Sequence, residues 1–338
     1  MRNARRVRTT IGALLLLTLA AAVSSCALPA ASSPAASPMR DLPQRGVLFF
    51  HRYTEYSAWD ASLWELNLAN GRLAQINAQW RAMLSPINAH ANAAGDEITF
   101  MGSATGLADP EWDVFVSHWD GTAWAEPVNL TGPNGKRDED PKFSPDGHTI
   151  AYKQDGVLAT IRDDGSRRTL LSAGQPESSM PFFTTDGSGL LFERAGSIWL
   201  RKAGVDSVLW QAGASRAYYP IGVSRTQFLF TEVQASHHDR IVWGSYVGKP
   251  AVAMFTGSDD CDNSDPYPYL DGARFVFFVT TCPSVLKGGY NLVVADRATR
   301  VVHSVDEINP LTNGNDQELG PAWSATAHFP DTPHEEQP

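Results

Sequence analysis

The residues that could do chemistry are few and scattered along the chain. The densest group is the acidic run GSDDCDNSD at 257–265, with Asp259, Asp260, Asp262 and Asp265. Carboxylates this close together are the hard oxygen ligands that Ca²⁺ takes, but the glycine and distal glutamate of a calcium hand are missing. Charge this dense ordinarily faces water. His237, His238 and Asp239 have metal-binding side chains, yet neighbours in a strand point to opposite faces and no third ligand accompanies them. GPNGKRD at 132–138 has a Gly-Lys pair without the phosphate-loop spacing or the Ser/Thr that reaches Mg²⁺. Ser284 and Lys287 stand in Ser-x-x-Lys spacing without a Lys-Thr-Gly or Ser-Asp-Asn partner, and no Gly-x-Ser-x-Gly elbow occurs.

The elements that must position such residues are more legible. DEDPKFSPDGHTIAYKQDG at 138–156 reads as a polar approach, a proline, an aromatic, a tight turn and an alternating apolar strand. MPFFTTDGSGLLFERAG at 180–196 and DPYPYLDGARFVFFV at 265–279 repeat that form, with weaker copies at 87–102 and 218–232 that lack Pro-Asp-Gly. The aromatic that closes each second strand falls at Phe100, Tyr152, Phe192, Phe230 and Phe277, in steps of 52, 40, 38 and 47 residues, and GVLFF at 46–50 lies one step earlier. Each copy continues into a third strand, a tight turn and a fourth apolar segment, as in GVLATIRDDG followed by RTLLS. Four short antiparallel strands repeated with this period are the signature of a β-propeller blade. The Asp-Gly and Asn-Gly pairs are expected to supply the positive φ angles of primed hairpin turns.

Six such units give an all-β, six-bladed propeller of four-stranded antiparallel blades. The first unit lacks an inner strand, and ELGPAWSATA at 318–327 matches an inner strand that has no partner after it. The C-terminal strand, about 318–327, is therefore expected to pair with the N-terminal blade and remove an open sheet edge.

DEDPKFSPDGHTIAY resembles the WD40-like repeat of TolB-type proteins, and WDVFVSHWDGTAWAEPVNL at 112–130 is similar to its outer half. The resemblance covers about 46–327. It implies the fold rather than one activity, because such propellers serve as periplasmic scaffolds, ligand binders, accessory domains of enzymes and, in some cases, lyases of pectic oligosaccharides. Those lyases hold a divalent metal near the central channel with several histidines, whereas only His90 occupies such a place here. The residues entering the inner strands converge on the channel mouth by symmetry. His90, Asp140, Glu177, Asp265 and Glu318 are the candidate mouth residues. The four acids would favour a cationic ligand, a metal ion or a basic peptide segment. Asp140 and Asp265 precede proline, where an aspartate also organises a turn. No catalytic residue or cofactor is expected, a divalent metal at the mouth being the one candidate.

The N-terminus reads as a processing segment. Arg2, Arg5, Arg6 and Arg8 precede an apolar run from 11 to 23 and then VSSC, which resembles a bacterial lipobox. Residues 1–25 are expected to be a lipoprotein signal peptide, with lipid on Cys26. Residues 26–45, rich in Ala, Ser and Pro, are the expected flexible tether. Residues 46–327 form the propeller and 328–338 a disordered tail. Removing 1–25 leaves 23 basic against 37 acidic residues, a net charge of −14. Such a surface repels phosphate backbones, so nucleic acid is not an expected partner. The expectation is an export to the envelope, anchored to the membrane by lipid, with an envelope protein or peptide as partner. Cys261 and Cys282 lie symmetrically about the turn at Asp271-Gly272. An antiparallel hairpin there would set them opposite one another at disulfide distance.

Overall fold

The computed structural model describes residues 42–106, 110–172, 176–235, 238–283 and 287–330. Cys26, the leader and tether residues up to 41 lie outside these residues, as do His237, Ser284 and 331–338. Residues 42–45, expected as the end of the flexible tether, are instead packed, with Leu42 buried in the core. The described residues form six four-stranded antiparallel sheets. The first comprises β1 (Val47–Tyr53), β2 (Ser62–Asn67) and β3 (Leu73–Gln75). The second holds β4 (Met83–Ala91), β5 (Glu97–Ala104), β6 (Asp113–His118) and β7 (Val128–Asn129). The third holds β8 (Asp138–Phe143), β9 (Thr149–Gln154), β10 (Val157–Arg162) and β11 (Thr169–Leu170). The fourth holds β12 (Ser178–Phe183), β13 (Gly189–Arg194), β14 (Ser197–Lys202) and β15 (Val205–Trp210). The fifth holds β16 (Arg216–Gly222), β17 (Gln227–Val233), β18 (Asp239–Ser245) and β19 (Val252–Ala253). The sixth holds β20 (Asn263–Pro268), β21 (Phe275–Thr280), β22 (Asn291–Asp296) and β23 (Val301–Ser304).

The last strand, β24 (Gln317–Ser324), returns to the first sheet and pairs antiparallel with β1, from Val47 opposite Ser324 to Tyr53 opposite Gln317. The ring is closed by its two ends, as the unmatched half-blades required. The strand stops at Ser324, but the chain stays packed beyond it. His328 N–H donates to Gly95 O at 3.2 Å, its ring stacks on Trp119 at 5.3 Å, and Arg72 lies 5.2 Å over Phe329. A propeller boundary at 327 therefore falls short, because the aromatic groups of 328–329 find partners on the first two blades.

The alternation seen in the sequence builds the core. Phe100, Tyr152, Phe192, Phe230 and Phe277 are all fully buried. They pack between neighbouring sheets, as Phe277 does with Leu48, Phe50 and Trp64 of the first blade. Each such burial contributes about 2–3 kcal/mol.

Two local features differ from the sequence expectation. At Asp155-Gly156 both residues have positive φ (46° and 78°), as a primed turn requires. In the Pro145-Asp146-Gly147 turn only the glycine does: Gly147 is at +79° and its N–H donates to Ser144 O, while Asp146 caps the turn through His148 N–H. The aspartate there serves as a side-chain acceptor and does not adopt the left-handed backbone itself.

The second difference concerns the prolines. Every inner strand slips register against its neighbour, as between Glu139 and Lys142 or between Ser264 and Tyr267. At one slip in each inner strand sits a residue with positive φ: Asn88, Asp140, Met180, Tyr219, Asp265 and Gly320. In five of the six a proline follows. β4 slips a second time at Ser85, also at positive φ. Asp140 and Asp265 thus occupy bulges within strands, where Asp tolerates the left-handed region.

Candidate functional site

The six bulges decide what lines the axis. The bulge residues form one layer, and two positions later His90, Lys142, Phe182, Ile221, Tyr267 and Ala322 form the next. In that second layer three rings meet across the axis. His90 and Phe182 are 5.6 Å apart, His90 and Tyr267 6.3 Å, and Phe182 and Tyr267 6.4 Å. They stand between a hollow of about 250 Å³ at the end where the inner strands begin and one of about 350 Å³ at the other. A small cavity of about 40 Å³, lined by Lys142, Tyr219 and Asp265, lies within the channel.

His90 is half-buried in the channel, and desolvation there with the nearby Lys142 charge pushes its pKa down to about 3. The ring is neutral, and its Nδ1 accepts the Phe143 N–H at 3.2 Å. Lys142 is the one cation of that layer. Burial pulls its pKa down to about 8 against the attraction of Asp140 and Asp265. Burial likewise pushes Asp265 up to about 6, opposed by hydrogen bonds from Gly320 N–H and Ser264. Asp140 is raised by burial too, with Lys142 and Lys153 pulling the other way. Its Oδ1 accepts from Asn88 Nδ2 at 3.2 Å. The structure thus brings Asp140, Asp265 and His90 into one channel around Lys142.

Glu177 and Glu318 lie elsewhere. Glu177 is on the rim, 54% exposed, and pairs with Lys153 at 3.0 Å. Lys153 also binds Glu139 at 2.5 Å, and Glu139 binds Arg137 at 2.6 Å. The four side chains form a line of alternating charge at the mouth. Glu318 is fully buried off the axis, where it binds Arg52 at 2.9 Å and accepts from Asn291 Nδ2 at 3.0 Å. Burial raises it to about 7 despite Arg52. The mouth is therefore of mixed sign: each acid that the sequence points to has a basic neighbour.

The wall beside these charges is aromatic. His51 stacks on Tyr53 at 5.7 Å, Tyr53 meets Tyr56 at 6.2 Å, Tyr56 meets Trp112 at 5.5 Å, and Trp112 meets Trp59 at 4.3 Å. Sequence reasoning missed this wall and the basic residues Arg137 and Lys153. A signal existed in YTEYSAW at 53–59, where three aromatics crowd a segment between strands.

The remaining motifs resolve into local structure. Asp259 and Asp260 are exposed, and Asp262 Oδ1 accepts the Asp239 N–H at 3.1 Å. Asp239 takes the Tyr218 hydroxyl, and His238 Nδ1 lies 3.5 Å from Asp262. Lys287 clamps a loop by binding Asp306 at 2.7 Å and the carbonyls of Pro310 and Asn313. Among the described residues no three His, Cys, Asp or Glu side chains are grouped as metal ligands. Cys261 and Cys282 form a disulfide at the mouth side of the sixth blade, with Cα atoms 5.1 Å apart.

No protein-family model and no curated protein matches the sequence. Solved structures do match in fold. TolB from Acinetobacter baumannii superposes with a TM-score of 0.63 at 11% identity, over 82% of this chain and 66% of that one. The hydrazine synthase of Kuenenia stuttgartiensis gives 0.64 at 11%, over 85% and 47%. A chain of the nidogen/laminin complex gives 0.57 at 11%, over 84% and 100%. The chain spans about two thirds of the TolB and half of the hydrazine synthase. Identities this low speak for the architecture alone. The chain is a six-bladed β-propeller with a TolB-like fold.

Proposed function

We propose that this chain is an exported, envelope-anchored binding propeller that holds a protein or peptide segment at its channel mouth. The observation that carries the reading is the mouth itself. It is a hollow of about 250 Å³ lined by Tyr53, Tyr56, Arg137, Glu139 and Lys153, and the channel behind it is narrowed by three rings. An extended segment with an apolar side chain and charges of both signs fits such a wall and rim. The TolB-like fold supports a role in protein contact, and the disulfide supports export. Lipid on Cys26 would supply the anchor, and the binding role calls for no cofactor. A metal-dependent action on carbohydrate gains nothing from the geometry, since His90 spends its Nδ1 on a backbone N–H.

The test is a photo-crosslinking amino acid placed at Tyr56, with the same group at the exposed outer residue Leu170 as control. In intact cells a discrete adduct from position 56, absent from 170 and weakened by Arg137→Ala, is expected. Identical adducts from both positions would remove the mouth as the binding surface. A Cys26→Ala variant should leave the membrane fraction and appear soluble; retention in the membrane would refute the anchor.

A further inference from the structure

On the face opposite the mouth, a groove of about 640 Å³ runs along the fifth blade to the sixth. Its lining includes Lys249, Arg297 and Arg300 and no Asp or Glu, on a chain whose net charge is −10. Arg297 lies 4.3 Å over the Trp243 ring and Arg300 4.5 Å over Phe255. Stacking of this kind holds a guanidinium in place and leaves its N–H edge free for a carboxylate. Arg297 spends one nitrogen on the carbonyls of Gly272 and Ala273, and Asp271 acts on it from beyond the groove. Neither Lys249 nor Arg300 has a carboxylate partner among the described residues.

Arg300 also stands in an unusual place. In the turns between third and fourth strands, the other five blades put glycine at positive φ: Gly71, Gly121, Gly165, Gly204 and Gly248. The sixth blade puts Arg300 there, at φ 57°. That conformation disfavours a side chain. Arg167 and Ala203 adopt it in the turns of the third and fourth blades, but there a glycine at positive φ accompanies them, and in the sixth blade none does. Beside it, Val247 and Val252 are each 63% exposed. Val252 belongs to β19, the outermost strand of its blade, whose far edge pairs with no strand among the described residues.

We propose that this groove binds an acidic peptide segment of a partner protein. Its carboxylates would meet Lys249, Arg297 and Arg300, and its apolar side chains would cover Val247 and Val252, with the free edge of β19 offering backbone partners. Cations from two blades spread along a concavity suit an extended chain. A flat lipid surface would reach only the rim.

The experiment uses a fluorescein-labelled hexapeptide of alternating Glu and Val, and its Lys-Val counterpart, titrated by fluorescence anisotropy at low salt. Saturable, salt-sensitive binding of the Glu peptide alone is expected. Arg300→Gly should weaken it about tenfold, while leaving the thermal midpoint unchanged or raised because the glycine relieves the turn. Lys249→Gln should weaken it several-fold, and Arg137→Ala at the mouth should leave it unchanged, which separates this site from the one proposed above. Absence of saturable binding, or binding indifferent to Arg300→Gly and Lys249→Gln, would overturn the proposal. So would sedimentation with phosphatidylglycerol vesicles that depends on Arg300 while the peptide fails to bind.

Discussion

Glu65 shows how far a single residue can oppose the fold it sits in. It lies in β2, fully buried, against the second blade. Its Oε2 accepts from Trp124 Nε1 at 3.1 Å, and its Oε1 finds no hydrogen-bond partner among the described residues. Burial raises its pKa from 4.5 to about 8, with the Trp124 hydrogen bond pulling the other way. The folded chain therefore holds this proton more tightly than the unfolded chain does. The resulting stabilisation is complete below pH 4.5 and is lost as pH rises through about 8. Glu65→Gln keeps the acceptor for Trp124 and removes the titration. Urea melts at pH 5 and pH 8.5 should show the variant gaining roughly 1–3 kcal/mol on the parent over that interval. A gap that stays constant with pH would rule Glu65 out as the group responsible. Nothing in the local sequence around Glu65 distinguishes it from an exposed strand carboxylate, because its burial comes from Trp124, fifty-nine residues away.

At the scale of the element, the hairpin that carries Cys261 and Cys282 repays a close look. The cysteines lie symmetrically about Asp271-Gly272, which pointed to a bond between them. The hairpin reaches that pairing by an uneven route. Near the turn Pro268 faces Val276, one residue off that symmetry, and the bulge at Asp265 then restores it so that Asn263 faces Thr280. The two cysteines sit just past the ends of β20 and β21. The bond closes a loop of 21 residues, for which restriction of the unfolded chain is worth roughly 3 kcal/mol. The double variant Cys261→Ala, Cys282→Ala should lose about that much in a urea titration under non-reducing conditions, and dithiothreitol should bring the parent to the same midpoint. An unchanged midpoint would mean that the turn alone confines both ends. The same bulge, repeated around the ring, was not legible in advance. Asp-Pro reads equally well as a turn, and only pairing with the next strand turns it into a register shift.

At the scale of the whole molecule, stability depends on the ring being shut. β24 covers the edge of β1, buries Ala322, and ties Trp323 Nε1 to Arg45 O at 2.8 Å. Its Glu318 meets Arg52 across that seam. Deleting 317–338 would open a row of unpaired backbone groups along β1 and leave Arg52 without its carboxylate. The truncated chain should lose its cooperative thermal transition by circular dichroism, and a synthetic peptide of 317–330 added in trans should restore part of it. A truncated chain that melts like the parent would show that five complete blades and a three-stranded remnant suffice.

What the sequence by itself determined is everything that follows from short range. The period of two, the glycines in turns and the recurring aromatic specify strands, hairpins and six blades. The two half-units at the ends specify closure, since a lone edge has one partner available. What only the tertiary structure decided is which side chains meet at the axis and at the rim. Lys142 faces Asp265 from a position 123 residues away along the chain, and the aromatic wall joins Tyr56 to Trp112 across two blades. Such neighbours are set by how the bulges turn each inner strand and by how the sheets stack around the ring. Neither is written in the spacing of residues along a single blade.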